Sequence, residues 1–202
     1  MNNSTEVIQG SDEWFALRLG KVTASKVADV MSKGTGRATY MDDLLAERMS
    51  GQSKPSFTND AMRWGTEQEP YARQAYEVDQ ECFVEETGFW QHDELALGVS
   101  PDGLVGEDGL VEIKCPNSST HVGWLRAKKV PAKHIKQIQC QLWVTGRSWC
   151  DFVSYDPRMI DTKNRLMVVR CKRDDALITK MELEVRKFLT ELDGWTKGES
   201  DD

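Results

Sequence analysis

One pair of short motifs in this chain carries groups that could act together on a phosphate. Ser100-Pro101-Asp102-Gly103 is followed by Glu112-Ile113-Lys114, the one E-x-K in the sequence. Side chains of an extended strand alternate between faces, so Glu112 and Lys114 share one face while Val111 and Ile113 point to the other, into a core. With Asp102 on the first face, two carboxylates and an amine converge. Such a set suits phosphodiester hydrolysis. Hard oxygen ligands hold Mg²⁺, with Mn²⁺ as a substitute, and Mg²⁺ keeps several waters. The ion polarises the scissile phosphate and lowers the pKa of a bound water. A lysine beside it orients or deprotonates the nucleophile and offsets phosphate charge.

A turn must bring the two motifs together. Glu107-Asp108-Gly109 lies between them and reads as a hairpin loop. A three-residue loop with Gly109 left-handed pairs Gly106 with Leu110 and sets Asp102 opposite Lys114, on the face of Glu112. A two-residue Asp108-Gly109 loop would put Asp102 on the wrong face. The chemistry therefore selects the three-residue loop.

The surrounding elements follow from pattern and punctuation. Ser11 caps a short helix with Asp12 and Glu13 in its first turn and Gly20 past its end. Thr23 caps the next, with Val27, Val30 and Met31 on one face. Helices are expected over Tyr40–Met49 and Asn59–Val78, the latter kinked or interrupted at Pro70. Residues 82–115 hold short apolar runs broken by turn signals and read as strands. Helical patterning returns over Ser118–Lys128 and Ala132–Val144. Strands follow at Trp149–Tyr155 and Leu166–Cys171, joined by a turn at Asp156-Pro157, and a helix closes the chain over Asp174–Leu192. Gly194–Asp202 reads as a frayed polar tail. No repeat or linker divides the 202 residues, so the expectation is one α/β domain over 1–202, a central mixed sheet flanked by helices.

Composition narrows the class. No secretory signal and no apolar run of spanning length are visible, so no membrane partner is expected. Five scattered cysteines without a C-x-x-C read as reduced thiols in a cytoplasm. The net charge of −7 argues against a nucleic-acid partner until it is mapped. From Asp60 to Glu112 there are 14 acidic and 2 basic residues; from Ile113 to Cys150 there are 7 basic and no acidic ones. The two blocks are either solvated faces that offset each other, or a polyanion track beside an acidic metal site.

The flanks carry a resemblance. Gln9-Gly10-Ser11-Asp12-Glu13-Trp14, Leu17-Arg18-Leu19-Gly20, Thr23-Ala24-Ser25 and Trp64-Gly65-x-x-x-Glu69 precede the central motifs. Glu112-x-Lys114-Cys115-Pro116, Gln137-x-Gln139, Trp143-Val144-Thr145 and Tyr155-Asp156-Pro157-Arg158-Met159 complete the series. In this order they resemble the phage lambda exonuclease family of YqaJ-like viral recombinases, within the PD-(D/E)xK nuclease superfamily. The resemblance runs from about residue 9 to 173.

That resemblance implies a Mg²⁺-dependent 5′→3′ exonuclease that degrades one strand of duplex DNA from its end. It implies Asp102, Glu112 and the carbonyl of Ile113 as metal ligands, Lys114 to position the water, Glu69 to help place it, and Gln137 to orient catalytic groups. Arg18, Ser25 and Ser100 would bind the 5′-phosphate. Trp14 and Trp64 match aromatic positions near DNA, Met62 an apolar wedge between bases, and Arg37 is a candidate for a further phosphate contact. Lys128, Lys129 and Lys133 fall in the basic segment and would meet the DNA backbone. The family also implies a homotrimeric ring threaded by DNA, a single-strand annealing partner, and a phage or prophage gene expressed in bacterial cytoplasm. Plainer readings stand beside these. Trp14 and Trp64 could be core residues, Arg18 could pair with Asp12 or Glu13, and Gln137 and Gln139 could be a solvated helix face. His92, His121 and His134 show no ligand spacing. Rival functions are an endonuclease or resolvase of the same superfamily, or a protein that binds DNA ends without cutting them.

Overall fold

The structure is a computed structural model that describes residues 3–4, 7–53 and 59–196. Its helices are α1 (Asp12–Arg18), α2 (Val27–Val30), α3 (Thr35–Ser50), α4 (Asp60–Gln80), α5 (Ser118–Ala127), α6 (Ala132–Thr145) and α7 (Asp175–Thr196). Its strands are β1 (Asn3–Ser4), β2 (Val22–Thr23), β3 (Val84–Glu85), β4 (Trp90–Gln91), β5 (Leu97–Val99), β6 (Gly103–Val105), β7 (Gly109–Lys114), β8 (Trp149–Tyr155) and β9 (Leu166–Lys172). Instead of one central sheet, the described strands form two mixed sheets, β1-β4-β5-β2 and β3-β6-β7-β8-β9. The smaller is unreadable in the sequence because two of its members are two-residue strands held only by partners distant along the chain.

Local chemistry sets most boundaries. Ser11 accepts the Trp14 N–H at 3.2 Å and opens α1. Asn59 and Asn117 do the same for α4 and α5, each at 2.9 Å. Gly51 and Gly146, both left-handed, end α3 and α6. Pro70 does not interrupt α4, which runs unbroken to Gln80. Ala72 and Tyr76, fully buried beyond the proline, fasten that half to the larger sheet. Thr23 heads a single 3-10 turn rather than a capped α-helix, and its side chain makes no capping bond. The β8–β9 connection is longer than a turn at Asp156-Pro157; it spans 156–165 and contains a 3-10 turn at Thr162–Asn164. The last helix continues through Gly194 to Thr196, and 197–202 lie outside the described residues.

Three apolar clusters flank the sheets. Val27, Val30, Leu44, Leu97, Phe188 and Leu192 join α2, α3 and α7 to the smaller sheet. In the larger sheet, β7 is covered on both faces. Val111 and Ile113 pack towards Ala72 and Tyr76 of α4. Leu110 packs towards Ile138 and Leu142 of α6. Because β7 alternates, Glu112 falls on the α6 side with Leu110 and is fully buried there.

The β6–β7 hairpin has a three-residue loop, but one residue earlier than expected. Val105 pairs with Gly109 and Gly103 with Val111, leaving Gly106-Glu107-Asp108 as the loop. The left-handed residue is Gly106, at φ +54°, and not Gly109. Gly109 is required for space: a Cβ there would lie 2.2 Å from the Trp149 ring. The register carried one step beyond the ladder sets Asp102 opposite Glu112 rather than Lys114. The shift is two residues along β7, so Asp102 keeps the intended face.

Candidate active site

The two carboxylates meet at the C-terminal half of β7. Asp102 Oδ2 accepts the Ile113 N–H at 2.6 Å, tying the residue before β6 to the strand that carries Glu112. Lys114 Nζ lies 2.6 Å from Glu112 Oε1 and 4.0 Å from Asp102 Oδ2. From α6, Gln137 Nε2 donates to Glu112 Oε1 at 2.6 Å, and Gln141 Nε2 donates to Oε2 at 2.7 Å. A fully buried carboxylate is tolerated because both of its oxygens have donors and one of them faces an ammonium.

The electrostatics follow from burial. Desolvation and the adjacent Glu112 push the Asp102 carboxyl well above the usual carboxylate range. Burial works against the charge of Lys114, but Glu112 and Asp102 outweigh it and hold the ammonium protonated. Glu69 enters from α4. Its carboxyl is raised by burial, against the pull of Arg73 and Lys114.

Arg73, one helical turn beyond Glu69, is a residue that sequence reasoning does not single out. Its guanidinium reaches Glu69 Oε1 and the Asp102 carbonyl, each at 3.4 Å, and pairs with Glu86. The i, i+4 spacing of Glu69 and Arg73 is the available signal. Gln141 escapes it as well, although it lies four residues after Gln137 on one helix face. Gln139, between them, faces away: its amide bonds the Lys172 carbonyl and the Asp174 N–H at 2.8 Å each. His121 is a buried strut between Ser154 and the Asn164 carbonyl.

Glu69, Asp102, Ile113, Lys114, Gln137 and Gln141 line a cleft of about 580 Å³. Trp14, Arg18, Ser25 and Ser100 form one wall, and Met62 and Glu69 approach from α4. Trp14 Nε1 donates to Ser100 Oγ at 2.9 Å, and the Arg18 guanidinium stacks 3.9 Å over the Trp14 ring. Trp14 is thus buried and also part of the cleft. Among the described residues, Arg18 forms no ion pair with Asp12 or Glu13; it is half-buried, and desolvation lowers its pKa. The lining also includes Trp124, Lys133, His134 and Gln137. Lys133 Nζ sits 5.4 Å from the Trp124 ring centre. Burial, then Lys114, depresses the His134 pKa to about 4, so the ring is neutral.

Five expected residues are outside the cleft lining; Glu112, fully buried, adjoins it through its bonds to Lys114, Gln137 and Gln141. Arg37 belongs to the first turn of α3, where it pairs with Glu191 of α7 at 2.6 Å and covers Phe188. Trp64 packs with the α4 cluster under the Arg158 guanidinium. Lys128 and Lys129 are exposed at the α5–α6 junction, Lys128 with a left-handed backbone at φ +49°.

The donor set fits a hard divalent cation. Among the described residues, no group of three or more His, Cys, Asp or Glu forms a cage. Mg²⁺ needs none: one or two carboxylates and several waters suffice. Asp102 and Glu112 would supply two, and the Ile113 carbonyl a third oxygen.

Residues 13–148 match the YqaJ-like viral recombinase domain. The fold is similar to the crystal structure of an alkaline exonuclease, LHK-Exo, from Laribacter hongkongensis. Identity is 48%, the match covers 93% of this chain and 95% of that one, and the TM-score is 0.88. The structure of LHK-Exo in complex with dAMP matches with the same values. A phage-related exonuclease from Haemophilus somnus 129PT shares the fold at 18% identity, 88% and 95% coverage and a TM-score of 0.68. An uncharacterised mimivirus protein, R354, is 26% identical over 159 residues; the match covers 72% of this chain, which spans 28% of that protein's length.

Proposed function

Because this chain belongs to the YqaJ-like viral recombinase family, we propose that its cleft hydrolyses DNA phosphodiester bonds, as an exonuclease working inward from a duplex end. One observation carries the reading: Trp14, Arg18 and Ser100 line the same cleft as Asp102 and Lys114, and Lys114 pairs there with the buried Glu112. Arginine grips a phosphate bidentately, and a hydroxyl adds a further hydrogen bond. A terminal 5′-phosphate held by Arg18, Ser25 and Ser100 presents the following phosphodiester to the carboxylates. The polarity is then 5′→3′, and the product carries a 3′ single-stranded overhang. The 48% identity to an alkaline exonuclease supports the reaction class.

Asp102, Glu112 and the Ile113 carbonyl would hold Mg²⁺, or Mn²⁺ in its place. When bound, the ion supplies Lewis-acid polarisation of phosphate and acidifies water. The remaining steps belong to the protein. Lys114, protonated, orients the nucleophilic water and offsets charge that grows on the phosphate in the transition state. Gln137 fixes the Glu112 carboxylate, and Glu69, braced by Arg73, helps place the water. Met62, half-exposed at the mouth, is positioned to wedge against a base at the fraying end. A homotrimeric ring threaded by DNA, a single-strand annealing partner and a phage or prophage origin in bacterial cytoplasm complete the reading; family membership supports them.

The test is digestion of 5′-labelled linear duplex and closed circular duplex, with Mg²⁺ and with EDTA. The expected result is nucleotide release from the linear substrate alone and only with metal. Asp102→Asn and Glu112→Gln should lose cleavage by at least about a thousandfold while retaining DNA affinity, since each removes a metal ligand. Cutting of the closed circle would instead identify an endonuclease, and binding without cleavage an end-binding protein.

A further inference from the structure

Gln141 is fully buried on α6 and belongs to the floor of the cleft. Its Nε2 donates to Glu112 Oε2 at 2.7 Å. That bond sets the amide's orientation, with the NH₂ group donating to the carboxyl oxygen. The other end, Oε1, is buried and has no hydrogen-bond partner among the described residues. A buried acceptor left unpaired is unfavourable, so a native fold that keeps one invites a donor. The Gln141 side chain therefore spends its donor on Glu112 and keeps an unused acceptor at a cleft that it lines together with Asp102 and Glu69. Gln137 differs, as it approaches the other Glu112 oxygen, Oε1, which Lys114 also serves.

We propose that Gln141 is a positioning residue for the divalent cation: Nε2 locks the plane of Glu112, and Oε1 accepts a hydrogen bond from the ion's hydration shell. The inference rests on the metal reading of the cleft. Water molecules on a dication are strong donors, and an outer partner of this kind orients both the ion and its carboxylate ligand. Asparagine is too short to span from α6 to Glu112 and the ion together. Methionine matches the volume but neither donates nor accepts well. Glutamate keeps an acceptor at the Oε1 position and adds charge that draws a cation, while losing the donor to Glu112.

The test is Mn²⁺ binding without DNA, followed by the paramagnetic resonance signal of free Mn²⁺, with circular dichroism as the check on folding. Gln141→Met should weaken Mn²⁺ binding about 10–100-fold, the range for loss of an outer partner. Gln141→Glu should bind within a few-fold of wild type. Gln141→Leu repeats the comparison if the methionine variant does not fold. Binding within twofold of wild type by Gln141→Met, or binding by Gln141→Glu as weak as by Gln141→Met, overturns the proposal. The metal reading itself fails separately: wild-type protein would then bind no Mn²⁺, or Asp102→Ala and Glu112→Ala would bind it as wild type does.

Discussion

Arg18 combines properties that a surface arginine lacks. It is stacked on Trp14, half-buried, and open to the cleft. Desolvation makes its charge costly unless an anion arrives, and the indole holds the guanidinium plane in one attitude. Wild-type protein should therefore digest 5′-phosphorylated ends faster than 5′-hydroxyl ends. Arg18→Ala should erase most of that preference and leave the slow hydroxyl-end rate nearly unchanged, measured on matched duplexes. Arg18→Lys should restore only part, because an ammonium cannot reproduce the fork. Equal slowing on both substrates would make Arg18 a general DNA contact. His134 gives a second prediction at this scale. Its pKa is depressed to about 4 by burial and then by Lys114, whereas an unfolded histidine titrates near 6.5. Between those values the unfolded chain binds the extra proton, so stability is full above about pH 6.5 and falls as pH drops towards 4. His134→Gln should flatten that limb of the Tm–pH curve. An unchanged slope would assign the acid sensitivity to other groups.

Among elements, the β6–β7 hairpin decides whether the carboxylates meet. Period-2 alternation places Glu112 and Lys114 on one face from sequence alone, and the demand for chemistry selects a three-residue loop. The one-residue slip arises because Gly106 and Gly109 both fit a hairpin by type, and the Trp149 ring that separates them comes from another strand. Residues whose partners lie far along the chain are illegible for the same reason. Arg37 is a candidate phosphate contact by resemblance, while its partner Glu191 lies 154 residues away. The i, i+4 pairs Glu69–Arg73 and Gln137–Gln141 are legible, but the spacing alone does not say that both members face the cleft. The two glycines can be told apart by experiment. Alanine at position 109 meets the Trp149 ring at 2.2 Å, so Gly109→Ala should destabilise by about 1–3 kcal/mol and reduce activity as β7 shifts. Gly106 has open space around it and only its positive φ to defend. Gly106→Ala should cost about 1–2 kcal/mol with near-normal turnover of the folded enzyme. Urea denaturation with matched activity assays separates them, and the reverse pattern would restore Gly109 as the turn residue.

For the molecule as a whole, the question is how a chain of net charge −7 holds a polyanion. Its basic run, 113–150, covers the end of β7, α5, α6 and the start of β8. Lys114 and Lys133 line the cleft itself. Lys128 and Lys129 stand exposed at the α5–α6 junction. In a ring threaded by DNA only the channel need be basic, and the acidic run could face outward. Neutralising lysines that meet the DNA backbone should therefore weaken binding without sequence preference. The slope of log K against log salt should flatten by about 0.9 for every phosphate that loses its lysine. Lys128 needs a substitution that tolerates its left-handed backbone, so asparagine serves there, with glutamine at 129 and 133. The triple variant should flatten the slope by up to about 2.7, measured by fluorescence anisotropy on duplex DNA in Mg²⁺-free buffer. Lys133→Gln alone should flatten it by about 0.9 and also slow cleavage, because this lysine stands over Trp124 at the cleft wall. A triple variant with an unchanged slope would return Lys128, Lys129 and Lys133 to an ordinary solvated face and move the DNA track elsewhere on the molecule.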